Sequence, residues 1–208
     1  LKSDALLMDV GSTKADIVAA ALNTLGDKLP CFVPVHPIAG KEVAGVEHSD
    51  ADLYKDRALI VTPMASSGAT QVELAKQIWK SLGSYITELT PTEHDAAFAA
   101  VSHLPHVLSY AIIRGIFQQH NGPELMALGG PGFRDFSRIA ASDPVVWRDI
   151  LTTNRDQVLL QINHFKDALN EFEKAIQDNE PQALEDMIRQ ASDLRFNWRM
   201  GTKQNSQE

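Results

Sequence analysis

The 208-residue chain has one cysteine, Cys31, so it can form neither an intramolecular disulfide nor a cysteine-based zinc site. That usage fits a reducing, cytoplasmic compartment. Positive charge is also scarce. Nineteen Lys and Arg stand against 27 Asp and Glu, a formal charge of −8 at pH 7. This argues against a general nucleic-acid binder, because phosphate contacts call for clustered Lys and Arg. No apolar run reaches transmembrane length, and Leu1-Lys2-Ser3-Asp4 lacks a signal-peptide pattern. Neither a membrane nor a nucleic acid is therefore expected as a partner. A leading Leu1 suggests that these residues are not a whole translation product. What remains is ordinary globular composition, 44% hydrophobic and 22% charged, long enough for one large or two small domains.

Two halves read differently. Up to about residue 90, short β-like runs (Ala5–Val10, Cys31–Val35, Ala58–Thr62, Tyr85–Leu89) alternate with helical patterns. Lys14–Leu25 has Ile17, Val18, Ala21, Leu22 and Leu25 at helical spacing, with Gly26 as a C-cap and Thr13 with Asp16 as a capping pair. Ala69–Leu82 repeats the pattern and ends at Gly83. The alternation predicts an α/β layer with a largely parallel sheet. From Pro91 the β signal disappears. Thr92 and Asp95 read as a further capping pair, and Pro105 should interrupt the path that follows. Val107–Phe117 is apolar nearly all round and reads as a buried helix. Gly129–Gly132 is a break, Ser142-Asp143-Pro144 a helix start, and Thr152–Asn154 a second break in a stretch that is helical to about Gln177. A last amphipathic helix starts at Asn179 and Pro181 and ends near Trp198. The expected organisation is 1–90 as part of an α/β domain and 91–208 as an all-α domain. Four short strands and two helices would make only a half-covered layer, so a truncated front is expected.

Four segments hold residues that could carry chemistry. Asp9-Val10-Gly11-Ser12-Thr13-Lys14 lies where a strand gives way to a helix, the edge at which α/β sheets bind ligands. Ser12 and Lys14 could face a ligand there, or Ser12 and Thr13 could simply cap the helix. It is not a Walker A loop, since the preceding glycine spacing is absent. His36-Pro37-Ile38-Ala39-Gly40-Lys41-Glu42 follows the next strand, and a histidine there can take a proton near neutral pH or sit satisfied in a turn. Ser102-His103-Leu104-Pro105-His106 sets two histidines three apart, without the HExxH pattern or third ligand of a zinc site. One structural and one ligand-contacting histidine is the better reading, and no metal is expected. In Phe133-Arg134-Asp135-Phe136-Ser137-Arg138 the two arginines lie one helical turn apart. They could grip a carboxylate bidentately or pair with Asp135 on a helix surface.

In this order, DVGSTK, HPIAGKEVAG, SHLPHVLSYA and GGPGFRDFSRIAASDPVVW closely resemble the prephenate/arogenate (cyclohexadienyl) dehydrogenase family, over roughly residues 4–200. The resemblance implies the C-terminal part of a Rossmann-type domain followed by a helical dimerisation domain, a homodimer, and an active site between the halves. It implies oxidative decarboxylation of prephenate or arogenate with NAD or NADP as hydride acceptor. His36 would be the base for the ring hydroxyl. Ser12 would orient that hydroxyl and contact His36, and Arg138 would bind a substrate carboxylate. Ser102, His106 and Trp147 match further pocket positions, Glu42 and Asp135 acidic positions at the entrance. Ser12, Lys14 and Pro37 would meet the nicotinamide end. Lys41 departs from the small polar residue of many relatives. The G-x-G-x-x-G loop and its acidic ribose partner do not occur in these 208 residues, so this segment by itself is expected to bind neither nucleotide tightly. A non-catalytic dimeric remnant is the rival expectation.

Overall fold

The computed structural model describes residue 2, residues 4–40 and residues 45–199. Four strands, β1 (Leu7–Asp9), β2 (Phe32–Pro37), β3 (Ala58–Val61) and β4 (Tyr85–Glu88), form one sheet in that order. β1 and β2 run parallel with Leu7 opposite Phe32, and β3 and β4 run parallel with Ala58 opposite Tyr85. The central pair departs from the parallel expectation: β2 and β3 are antiparallel, with Val35 opposite Val61 and His36 opposite Ile60. The cause is the connection. Among its described residues, the stretch between Pro37 and Ala58 carries only a short 3-10 turn, Val46–His48, and a parallel return needs a crossover, usually a helix.

Helices α1 (Ala15–Thr24) and α2 (Ala69–Ser81) follow β1 and β3. Gly26 and Gly83 end them at φ +47° and +89°, backbone angles that suit a residue without a Cβ. Val33, Val35, Leu59 and Val61 pack with Ala75 and Trp79 of α2 into the core, and Tyr54 meets Trp79 edge-on with ring centroids 4.9 Å apart. Successive strand residues point to opposite faces, so His36 projects from the face of β2 that Val33 and Val35 do not use.

After β4 the chain is helical: α3 (Pro91–Phe98), α4 (Leu104–Phe117), α5 (Gly122–Ala127), α6 (Pro131–Ser137), α7 (Pro144–Thr153), α8 (Arg155–Gln177) and α9 (Pro181–Asn197). A capping box opens α3, but it is Thr90 with Glu93 and not Thr92 with Asp95. The prolines explain the shift, because Pro91 sits comfortably at the first helical position. A π turn, Ala99–His103, joins α3 to α4 in one continuous helix, and Pro105 lies just beyond it, where the wider turn has already interrupted the regular backbone ladder. The run Pro91–Phe117 is thereby long and apolar enough to cross a membrane by length and composition. The sequence expectation missed it because consecutive apolar residues are interrupted by His94, Asp95, His103 and His106. Nor is α4 buried as expected: Ile112 and Phe117 are exposed, and Ser109 is its one buried residue. Asp143 caps α7 through the Val145 and Val146 amides at 2.8 and 2.9 Å.

The chain divides into two compact bodies, Leu1–Val158 and Leu159–Glu208. The second, as described, is the remainder of α8 and α9, turned at Asn179 (φ +52°). It carries exposed Leu169, Ile176, Leu194 and Phe196.

Candidate active site

At the carboxyl end of β1, the Asp9 carboxylate accepts the Gly11 amide at 3.1 Å and the Val35 amide at 3.3 Å, and it pairs with the Lys14 ammonium. Lys14 does not face outward as expected, being wholly buried. Burial pushes its pKa below the usual lysine range, and the bonded Asp9 carboxylate opposes that. Ser12 beside it is half-buried. Thr13 and Asp16 do not cap α1. Its leading amides, those of Lys14 and Ala15, both donate to the carboxylate of Asp95, each at 2.8 Å.

That carboxylate begins a line of bonds that runs to His36. Asp95 Oδ1 lies 2.8 Å from His94 Nδ1, and His94 Nε2 lies 2.8 Å from His36 Nδ1. Phe98 stacks on His94 at 4.5 Å and tilts against His36 at 4.9 Å. His36 was expected to contact Ser12, but the hydrogen bond it makes among the described residues goes to His94, which occupies Nδ1. Burial, then the neighbouring His94 and Lys14, hold the His36 pKa down to about 3, so it is a neutral imidazole at ordinary pH. For Asp95, burial alone would raise the pKa. Bonds from His94 and from the Ala15 and Lys14 amides outweigh it and keep the carboxyl below its ordinary value.

The two histidines of the Ser102–His106 segment go to different partners. His103 is buried, with Nδ1 3.1 Å from the Asn154 amide nitrogen, which also donates to the Asp95 carbonyl at 2.8 Å. Burial lowers its pKa to about 4. His106 donates from Nδ1 to the Ser102 carbonyl at 2.9 Å and stacks on Trp147, centroids 3.5 Å apart. Its pKa is lowered by burial, against that bond. Beside this stack is an open cleft of about 550 Å³, lined among others by Tyr110, Ser142, Trp147 and Arg148; His36 is not part of its lining. Arg138 is exposed at the start of a 3-10 turn, Arg138–Ala141, in a segment tied to α4 by Ser109 Oγ donating to the Phe136 carbonyl at 3.2 Å. Asp135 is exposed and paired with Arg134 at 2.9 Å, the surface arrangement left open from the sequence. Pro37 is half-buried at the end of β2. Glu42 and Lys41 lie outside the described residues.

Sequence reasoning missed His94, Asp95 as a site residue, and Asn154. The available signal was the adjacent His94-Asp95 pair directly before the apolar run Ala96–Val101, where burial demands a polar partner.

Comparison with known proteins shows the family. Residues 1–88 match the family model "Prephenate dehydrogenase, nucleotide-binding domain", and residues 90–190 match "Prephenate dehydrogenase, dimerization domain". The chain belongs to the prephenate dehydrogenase family. A cyclohexadienyl dehydrogenase of Zymomonas mobilis is 32% identical over 94% of this chain and 67% of its own length. A prephenate dehydrogenase of Bacillus subtilis is 30% identical over 94% of this chain and 53% of its own. The chain thus spans about two thirds of the first relative and about half of the second. Among solved structures, the prephenate dehydrogenase of Aquifex aeolicus with hydroxyphenyl propionate and NAD+ superposes with TM-score 0.86 at 33% identity, over 94% of this chain and 68% of that one. Synechocystis arogenate dehydrogenase gives 0.81 at 26%, over 94% and 70%. The Rossmann-type and helical dimerisation architecture expected of the chain is that of these family members.

Proposed function

We propose that this chain carries the proton-accepting and substrate-binding part of a prephenate or arogenate dehydrogenase. It works as a cytoplasmic homodimer with no membrane or nucleic-acid partner, with 1–90 serving the nucleotide and 91–208 serving dimerisation and substrate. The carrying observation is the half-buried, neutral His36 at a strand end, held through the buried His94 by the ionised Asp95. Such a line of bonds is out of place in a non-catalytic dimer, where a buried histidine needs only one partner.

The fit to NAD or NADP is partial. A helix N-terminus that binds phosphate must offer free amides, and the two leading amides of α1, those of Lys14 and Ala15, are taken by Asp95. What suits a cofactor here is its nicotinamide end, near half-buried Ser12 and Pro37, with Lys14 acting from behind through Asp9. The cofactor, when bound, supplies the hydride acceptor. The chain's own residues handle the proton and the carboxylates. His36 takes the proton of the ring hydroxyl as its carbon gives up hydride, and the O–H electron pair becomes a carbonyl. Loss of carbon dioxide then restores aromaticity, and the proton returns from His36 to the phenolate oxygen, so no net proton is consumed. Ser12 orients the hydroxyl. Arg138 holds a carboxylate, with Ser102, His106 and Trp147 lining the ring's pocket and Glu42 and Asp135 at its entrance.

Turnover of prephenate and of arogenate, each with NAD and with NADP, tests the reaction. Arg138→Ala should raise KM chiefly, and Arg138→Lys should not fully restore it, because an ammonium lacks the planar fork of a guanidinium. An unchanged KM, with Arg134→Ala raising it instead, would move the role to the other arginine. Light scattering tests the dimer, whose interface should bury more than about 2,000 Å² if obligate; a monomer at micromolar concentration contradicts it.

A further inference from the structure

We propose that His94 and Asp95 are positioning residues that fix the tautomer of His36, leaving its Nε2 as a bare acceptor. The proposal rests on the reading of His36 as the proton acceptor only for its catalytic consequence; the tautomer itself follows from the bonds with His94 taken as neutral. An ionised carboxylate can only accept, and Asp95 is held ionised by the amides of Lys14 and Ala15 as well as by His94. The proton on His94 therefore sits at Nδ1, where it faces Asp95 Oδ1 at 2.8 Å. In neutral His94 the other nitrogen, Nε2, is a lone pair, and it lies 2.8 Å from His36 Nδ1. Two lone pairs at that distance repel, so His36 must carry its proton at Nδ1. Its Nε2 then has a lone pair and no hydrogen. Because a ring hydroxyl must find an acceptor and not a second donor, only this tautomer works. Phe98 packs against both rings.

The same geometry explains why one carboxylate serves two elements. Asp95 caps α1, which starts directly after the Gly11–Lys14 turn, and orders the histidines. The turn carrying Ser12 and the base carrying the lone pair are thus referred to a single group. When His36 takes a proton at Nε2, its Nδ1–H and the His94 Nδ1–H both keep pointing along the line to Asp95, which stabilises the imidazolium without moving a second proton.

The test is long-range ¹H–¹⁵N correlation of ¹⁵N-histidine-labelled chain near neutral pH, with His36 assigned by the loss of its signals in His36→Asn. The expected pattern is one tautomer for His36, protonated at Nδ1, with Nε2 unprotonated. A His36 protonated at Nε2, an averaged pair of tautomers, or a doubly protonated His94 facing an unprotonated His36 Nδ1 would each overturn the proposal. Asp95→Asn also removes the α1 cap and can unfold the site, so His94 carries the variants. His94→Leu should release the tautomer and lower kcat by about tenfold or more with KM little changed, the split expected when only the reacting state is affected. His94→Gln, whose amide oxygen can accept from His36 and whose NH₂ can donate to Asp95, should restore the Nδ1–H tautomer and most of kcat. Equal losses in both variants with an unchanged wild-type-like tautomer would mark His94 as merely structural and overturn the proposal. A fixed Nδ1–H tautomer together with an undiminished kcat in His36→Asn would leave the tautomer relay standing and overturn the proposed role of His36 instead.

Discussion

Two lysine–aspartate pairs set the two bodies of the chain apart. Lys14 and Asp9, in the sheet body, have side chains 0% and 16% exposed; Lys174 and Asp178, four residues apart at the C-terminal end of α8, are 75% and 44% exposed. The chemistry is identical and the environment is not. Near the sheet, removing Asp9 strands the Lys14 charge without water, whereas at the end of α8 water takes the place of whichever partner is lost. The apolar residues reverse this contrast. Val33, Val35, Leu59 and Val61 are fully covered within the chain, while Leu169, Leu194 and Phe196 of the second body are at least half exposed. The sheet thus holds a charged pair inside, while the second body holds apolar side chains outside, as α4 of the first body also does at Ile112 and Phe117.

The contrast breaks first at Asp9. Asp9→Ala should destabilise the fold by about 3–5 kcal/mol, the usual consequence of leaving a buried charge unpaired, read from urea midpoints. A loss below about 1 kcal/mol would mean that water reaches Lys14 as it reaches Lys174. Acid should act next on the same body. His36 and His103 have pKa values lowered from 6.5 to about 3 and about 4. The unfolded chain therefore binds protons first as pH falls, so their contribution is complete above 6.5 and is lost progressively toward about 3. Urea midpoints that stay constant from neutral pH down through this window would contradict the lowered pKa values of both rings. Gly83→Ala should cost less, about 1–2 kcal/mol, because φ is +89° and a Cβ would sit 3.1 Å from the Lys55 Cα. Smallest of all, Asp178→Ala should cost no more than about 0.5 kcal/mol, and less at high salt.

The strands and most helices were legible because hydrophobic period and end signals are local. Gly26, Gly83, Asp143 and Pro181 mark ends that a few neighbouring residues determine. The misreadings share a physical origin in distance along the chain. The cap of α1 comes from Asp95, 80 residues beyond Ala15, so Thr13 and Asp16 looked like the nearest candidates. The antiparallel β2–β3 pair could have been anticipated, since the intervening stretch has no helical pattern to make a crossover. His36 stood out by its place after a strand. His94 did not, because its role depends on a ring 58 residues away. Nor could the sequence tell which apolar helix faces would be covered, since α4 looked like core and is open along Ile112 and Phe117.

The account turns on His36 as the group that takes the ring proton, and steady-state kinetics of His36→Asn in the active enzyme address that directly. Asparagine keeps a hydrogen-bonding side chain and cannot accept the proton, so kcat should fall by about 10²–10⁴-fold while substrate still binds. A His36→Asn enzyme with kcat close to wild type would contradict the account.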